Sequence, residues 1–331
     1  LTYFLIKIMK KIKVAFIYHK NNIFLSGNHF DNTFYNFYIK ALRRNENLEI
    51  TNFMTDDVFD CSKLKGKFDI ILLWENSPFG MPKELIGIKD IEIPVITQAS
   101  DPVRAEESKS LHEKWNISYY FNFFHEDFFY ELYPKHFKYR TVIFGLEPSL
   151  YQNVMPFNNR KKDKILLTGA TANKGLGSKL LNFLHSSKWS ASNFYRLRNL
   201  CRDLKMIDYT STLDHEFIND LYPKLLEKYS AAITAASYSP CIKYWETTAA
   251  GCLTFMEITS KNRGNYIGFE DDVSSIFINE QNYKDKFHEF INDPNNPKWE
   301  KIAKNGREHA LKNLNNDKAT ESLEIIMREL L

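Results

Sequence analysis

Two stretches of this 331-residue chain combine residue types that could hold a phosphorylated ligand. In Tyr238-Ser-Pro-Cys-Ile-Lys-Tyr-Trp-Glu-Thr-Thr-Ala-Ala-Gly251-Cys-Leu-Thr-Phe, Lys243 and Glu246 stand three residues apart, neighbouring positions on one helical face. A cation beside an acid at the start of a helix suits a phosphate beside a ribose. The ammonium meets the phosphate, and the carboxylate accepts two hydroxyl hydrogen bonds. A surface ion pair worth under about 1 kcal/mol accounts for the same spacing equally well. The second stretch, Gly169-Ala-Thr-Ala-Asn-Lys-Gly-Leu-Gly-Ser-Lys179, follows a strand and precedes a helix. Such a loop offers free amides and a positive helix end to an anion, and Lys174 or Lys179 could add charge. It has neither the Gly-Lys-Ser/Thr order of a P-loop nor the third glycine of GxGxxG, so an ordinary turn fits it more readily.

Groups able to take a proton from a hydroxyl lie in the first half. His29 and Asp31, in Ser26-Gly-Asn-His-Phe-Asp31 after the first strand, are candidate general bases on the resemblance described below, although a helix cap, which Asp31 or Asn28 suits well, fits more readily. Asp101, in Gln98-Ala-Ser-Asp-Pro-Val-Arg104, is another strand-end carboxylate with the same alternative. No metal site is expected: His125 has no ligand partner at suitable spacing, and no Asp-x-Asp ends a strand. Cys61, Cys201, Cys241 and Cys252 form no CxxC pair and read as reduced thiols of a cytoplasmic protein.

The elements that must position these residues alternate between strand and helix. Strands are predicted at Ile12 to Tyr18, Leu48 to Phe53, Asp69 to Trp74, Pro94 to Thr97, Ser118 to Phe124 and Arg140 to Phe144. Helices are predicted at Asn32 to Arg44 and Arg104 to Trp115. A polar stretch, Tyr151 to Lys164, reads as a linker. The pattern then restarts, with strands at Lys164 to Thr168, Met206 to Tyr209, Ala231 to Ala236, Cys252 to Glu257 and Ser275 to Asn279. Helices are expected at Gly177 to His185, Phe194 to Leu204 and Ile242 to Ala250, followed by three more from Tyr283 to the end. This is the signature of α/β architecture with parallel sheets, in two successive halves with a helical tail. The aromatic run Tyr119 to Tyr130 reads as core.

Composition narrows the function. Forty-four Lys and Arg against 41 Asp and Glu leave a net charge of only +3, too little for a dedicated nucleic-acid binder but compatible with a local basic pocket. No apolar run approaches the ~20 residues that span a membrane. Peripheral membrane contact stays open through Lys10, Lys11 and Lys13 and through Lys135, His136, Lys138 and Arg140, which a solvated face also explains. Met9-Lys-Lys11 reads as the natural start, because the preceding apolar stretch is short and interrupted by Lys7.

Lys243-Tyr-Trp-Glu-Thr-Thr-Ala-Ala-Gly-Cys252 resembles the Lys/Arg-Tyr-x-Glu-x-x-Ala-Ala-Gly-Cys pattern of GT-B glycosyltransferases of the CgeB-like and group-1-like branches. Ile165-Leu-Leu-Thr-Gly-Ala170, Tyr195-Arg-Leu-Arg198, Val142-Ile-Phe-Gly-Leu-Glu-Pro148, Gly268-Phe-Glu-Asp-Asp272 and Ile302-Ala-Lys-Asn-Gly-Arg307 agree in order. The likeness covers roughly 140 to 315 well, and the first half in architecture only. It implies two Rossmann-like doubly wound domains facing a central cleft. Residues 9–150 would form the acceptor side and 151–315 the nucleotide-sugar domain, with a last helix at 316–331 able to cross back to the first domain. It implies transfer of a sugar from a nucleoside-diphosphate sugar to a glycan, lipid or protein, without a bound metal or other cofactor. Glu246 would accept the ribose hydroxyls. Lys243 and Arg198 would serve the diphosphate, with Gly169, Ala170 and Lys174 in the turn beneath it. Tyr238 stands where group-1 enzymes often carry a first Glu, and Leu253-Thr254 replaces their Pro-Val. A catalytically silent nucleotide or glycan binder of the same fold is the alternative, and an epimerase or phosphorylase a third reading.

Overall fold

The computed structural model describes residues 10–22, 34–74, 80–172, 190–211 and 219–331. Contacts divide the chain into two compact units, 1–122 with 132–142 and 317–331, and 123–131 with 143–316.

In the first unit the chain runs through β1 (Ile12–His19), α1 (Phe34–Arg44), β2 (Leu48–Thr55), β3 (Val58–Asp60), β4 (Ile70–Trp74), β5 (Glu84–Ile86), β6 (Val95–Gln98), α2 (Ala105–Lys114) and β7 (Ile117–Asn122). Past α3 (Glu126–Leu132), which belongs to the second unit in all but its last residue, the chain returns to the first unit with β8 (Tyr139–Thr141). Six strands form an all-parallel sheet in the order β2-β1-β4-β6-β7-β8, while β3 and β5 pair separately. All five residues of β4, Ile-Ile-Leu-Leu-Trp, are fully buried, as a central strand covered on both faces requires. Trp74 meets Phe16, Tyr35 and Phe121 edge-on.

The second unit contains β9 (Lys161–Thr168), α4 (Ala191–Phe194), α5 (Arg196–Cys201), β10 (Ile207–Thr210), α6 (Tyr222–Leu226), β11 (Tyr229–Thr234), α7 (Lys243–Ala249), β12 (Leu253–Glu257), β13 (Ile276–Ile278), α8 (Tyr283–Asn292) and α9 (Pro297–Asn313). Its parallel sheet has the order β10-β9-β11-β12-β13. Ile165, Leu167, Ile233, Phe255, Phe287 and Trp299 are among the residues of its core. The last helix, α10 (Asn316–Glu329), packs within the first unit from Asp317 onward. Leu323, Ile326 and Met327 are fully buried, Arg44 bonds Asp317 at 2.7 Å, and Asn45 and Asn47 both donate to Glu324 at 3.1 Å.

Several expectations change in detail. The polar stretch 151–164 is no free linker: Tyr151, Phe157 and Arg160 are buried, and β9 already begins at Lys161. Its asparagines and lysines decorate a surface whose two aromatic anchors fix it. The helix expected at Phe194 to Leu204 is two short ones, broken at Tyr195, whose ψ of 37° is not helical. The aromatic run contributes Tyr120, Phe121, Phe124, Phe128 and Phe129 to buried positions, and α3 forms within it. The helix expected at Gly177 to His185 lies outside the described residues. Among the described residues no helix is long and apolar enough to cross a membrane.

Candidate functional site

The second sheet reverses its winding between β9 and β11, and the carboxyl ends of such strands are where doubly wound sheets take ligands. The chain after β9 turns at Gly169, and α7 follows β11. Five of the seven residues of α7 are buried: Tyr244, Trp245, Thr247, Thr248 and Ala249. Trp245 Nε1 donates to the Phe144 carbonyl at 3.2 Å, and the Tyr244 hydroxyl donates to the Glu257 carbonyl at 3.1 Å. These bonds set the rotation of the helix and leave only Lys243 and Glu246 partly exposed. Gly251, at φ 77°, closes the helix in a left-handed conformation that favours glycine, and its N–H donates to the Thr248 carbonyl at 2.9 Å.

Gly169 lies against Lys243. Its φ is 102°, and a Cβ there would sit 3.0 Å from both Arg198 Nη1 and Lys243 Cε. The turn is held from below. Asn199 Oδ1 accepts from the Ala172 N–H at 2.7 Å, the Tyr209 hydroxyl donates to the Gly169 carbonyl at 3.1 Å, and Arg202 Nη1 bonds Thr171 and Ala172. Ala170 is exposed.

Arg198 is 3% exposed and committed to protein atoms. Its Nε donates to the Ala235 carbonyl at 2.6 Å, Nη1 to the Ala170 carbonyl at 3.4 Å and Nη2 toward Cys241 Sγ at 3.6 Å, while its plane covers the Tyr195 ring. It therefore lies under the turn as a support. The Lys243 ammonium sits 4.5 Å from the centroid of the Tyr222 ring and donates to the Tyr222 hydroxyl at 3.3 Å; that hydroxyl in turn meets Thr168 Oγ1 at 2.7 Å. Burial pushes the Glu246 carboxyl up to about 7, against the pull of the Lys243 charge and the Tyr151 hydroxyl.

Three participants carried little sequence signal. Tyr151 and Tyr222 look like any core aromatic. Glu257 is an acid ending an otherwise apolar strand, a mark that could have drawn notice. It is 5% exposed, and one carboxylate oxygen has no hydrogen-bond partner. Burial raises its carboxyl to about 7, while Arg198 opposes the shift.

Of the proton-accepting candidates, His29 and Asp31 lie outside the described residues, as does Lys174. Asp101, after β6, is an exposed residue that makes no capping hydrogen bond, and desolvation of its carboxyl by nearby protein atoms raises its pKa against the influence of Arg104. His19, at the end of β1, has both ring nitrogens engaged: Nδ1 accepts from the Asn21 N–H, and Nε2 faces Asp57 at 3.3 Å. It has no free nitrogen for an acceptor hydroxyl. Among the described residues no group of three or more His, Cys, Asp or Glu is placed to hold a metal ion.

No protein-family model and no curated protein sequence matches the chain. Solved structures do. A glycosyltransferase from Rickettsia africae aligns with a TM-score of 0.57 at 11% identity, covering 97% of this chain and 98% of that one. HepE of Anabaena, solved with UDP-glucose, gives 0.58 at 10% identity over 96% of this chain and 100% of its own. An alpha-glucosyltransferase solved with UDP-glucose and DNA containing an abasic site gives 0.60 at 11% identity, with 96% and 100% covered. With its two parallel sheets, each of Rossmann-like winding, this chain has the GT-B fold.

Proposed function

We propose that the chain is a glycosyltransferase of the CgeB-like, group-1-like branch, moving a hexose from a nucleoside-diphosphate sugar to a hydroxyl of a glycan, lipid or protein. The observation that carries this reading is the exposure pattern of α7, a buried helix in which only Lys243 and Glu246 are partly exposed, with Lys243 against the braced Gly169 turn. In the proposed complex Glu246 accepts the ribose hydroxyls, and Lys243 meets the diphosphate. The Gly169–Ala170 turn lies beneath it, and Arg198 keeps that turn in place. When the bond between the anomeric carbon and the diphosphate breaks, negative charge grows on the leaving group, and a fixed cation there lowers the barrier. Asp101, His29 and Asp31 are the candidates to take the acceptor proton. The reaction so written uses no cofactor beyond the donor, and a nucleotide-sugar donor fits a cytoplasmic location. HepE and the alpha-glucosyltransferase, each solved with UDP-glucose, make that donor the first to try.

The test is a thermal-shift panel of nucleotides and nucleotide sugars. A ligand at one hundred times its Kd adds about 2.7 kcal/mol to the folded state. A shift with one nucleoside diphosphate, lost in Glu246→Ala, is expected; a cooperatively unfolding protein that responds to no nucleotide refutes the donor site. One observation favours a silent binder as second reading: Tyr238, in the place of the first Glu, is packed against Phe194 and the Lys261 ammonium. Binding of UDP-glucose with no UDP release in any acceptor mixture would select it.

A further inference from the structure

At the opposite end of the same strands the second unit carries another basic recess. Arg160 immediately precedes β9, and Gly251 and Cys252 precede β12. The recess is thus separated from Gly169 by the length of β9, roughly 25 Å for its eight residues. It encloses about 310 Å³, and its lining includes Phe157, Arg160, Gly251, Glu300, Lys304 and Arg307.

Its charges are unbalanced. Arg160 is 6% exposed, and its Nε and Nη2 both donate to the Met155 carbonyl, while Nη1 faces only Cys252 Sγ at 3.9 Å. Arg307 Nη2 donates to the Tyr151 carbonyl at 2.7 Å, and its solvent-shielded Nε has no hydrogen-bond partner among the described residues. The two side chains flank Gly251: a Cβ there would meet Arg160 Nη2 at 3.2 Å and Arg307 Cδ at 3.5 Å. Burial and the adjacent Arg160 both push the Arg307 pKa down, with Glu308 opposing. Lys304, one helical turn before Arg307 on α9, is exposed and has no ion-pair partner among the described residues. The acid lining the recess, Glu300, accepts a hydrogen bond from Asn158. The carboxyl end of α7 adds only about half a negative charge. Among the described residues neither the buried Arg160 nor the half-buried Arg307 has a carboxylate in ion-pair reach, although buried charges are normally paired.

We propose that this recess is a second ligand site, which binds a phosphomonoester of sugar-phosphate size. The Arg307 guanidinium and the Lys304 ammonium hold the phosphate, and the apolar wall around Phe157 receives the sugar. A dianion restores the charge balance, and planar guanidinium donors match phosphate oxygens. The volume exceeds that of a free phosphate and falls at the small end of organic-ligand pockets. This site is independent of the reading of the first one.

The experiment is titration calorimetry of the full chain with glucose 6-phosphate and, separately, inorganic phosphate. One site for glucose 6-phosphate is expected, at least tenfold weaker in Lys304→Ala and in Arg307→Gln and unchanged in Lys243→Ala. Because Arg307 also holds the Tyr151 carbonyl, the exposed Lys304→Ala keeps the test valid if Arg307→Gln folds poorly. No binding by the parent chain, binding that survives Lys304→Ala, or binding lost in Lys243→Ala overturns the proposal. Equal affinity for inorganic phosphate overturns the sugar-phosphate assignment.

Discussion

Glu246 gives the proposed donor site a pH dependence whose sign and size follow from its surroundings. Burial is the largest influence on the carboxyl and raises it to about 7; Lys243 and Tyr151 only partly offset it. Ribose hydroxyls donate, so they select the ionised carboxylate. An acid with a raised pKa is protonated below that value, so the ligand must displace a proton at pH 6 and none at pH 8. The ionised fraction falls from roughly nine-tenths at pH 8 to one-tenth at pH 6. Donor affinity should therefore weaken about tenfold over that interval, equivalent to ~1.4 kcal/mol. Calorimetric Kd values for UDP across this range measure the effect. The diphosphate titrates in the same window, so the informative quantity is the difference between the parent chain and Glu246→Gln, in which the phosphate's contribution remains and the carboxylate's is gone. Parallel profiles for the two proteins, or an inflection of the difference near pH 4.5, would refute the burial argument.

Two further outcomes test the frame around the site. Glu257 has a folded-state pKa near 7 against an ordinary value of 4.5, so its ionisation costs stability above pH 7 and nothing below 4.5. Glu257→Gln should accordingly gain on the parent by on the order of 2 kcal/mol between pH 5 and pH 8, read by urea denaturation; a gap that does not move with pH would show the carboxyl to be solvated. Leu323→Ala, in the fully buried face of α10, should cost about 2 to 4 kcal/mol in the same assay, and a loss below 1 kcal/mol would mean that α10 is not part of the first unit's core.

The strands were legible because a parallel sheet buries both faces: Ile-Ile-Leu-Leu-Trp at β4 and Ile-Leu-Leu at β9 can be little else. The extent of Tyr151 to Lys164 was not, because its buried aromatics are outnumbered by polar residues on the same segment. Nor was the break at Tyr195, since Arg198 and Asn199 owe their positions to hydrogen bonds with Ala235 and Ala172, distant in sequence. For the site, spacing placed Lys243 and Glu246 together. The resemblance, not spacing, pointed Arg198 to the diphosphate, and a positive charge in a motif does not reveal that two of its nitrogens bond the Ala235 and Ala170 carbonyls. Tyr222, Tyr151 and Glu257 join through tertiary packing alone.

A surface ion pair and a ligand-binding pair have the same three-residue spacing, and the difference between them is physical. A surface pair rides on a solvated helix, with each charge stabilised by water. Here the helix is sunk in the core, its rotation set by hydrogen bonds from Trp245 and Tyr244 to the backbone, each worth about 1 kcal/mol net. Lys243 turns to the Tyr222 ring and only partly offsets the burial that disfavours the Glu246 carboxyl as an anion. The fold thus spends stability to keep an acceptor under-solvated and fixed in direction. Such a group gains more from arriving hydroxyl donors than a hydrated carboxylate would, because it gives up less water and needs no reorientation. Perturbed, rigidly held acids of this kind concentrate where ligands bind.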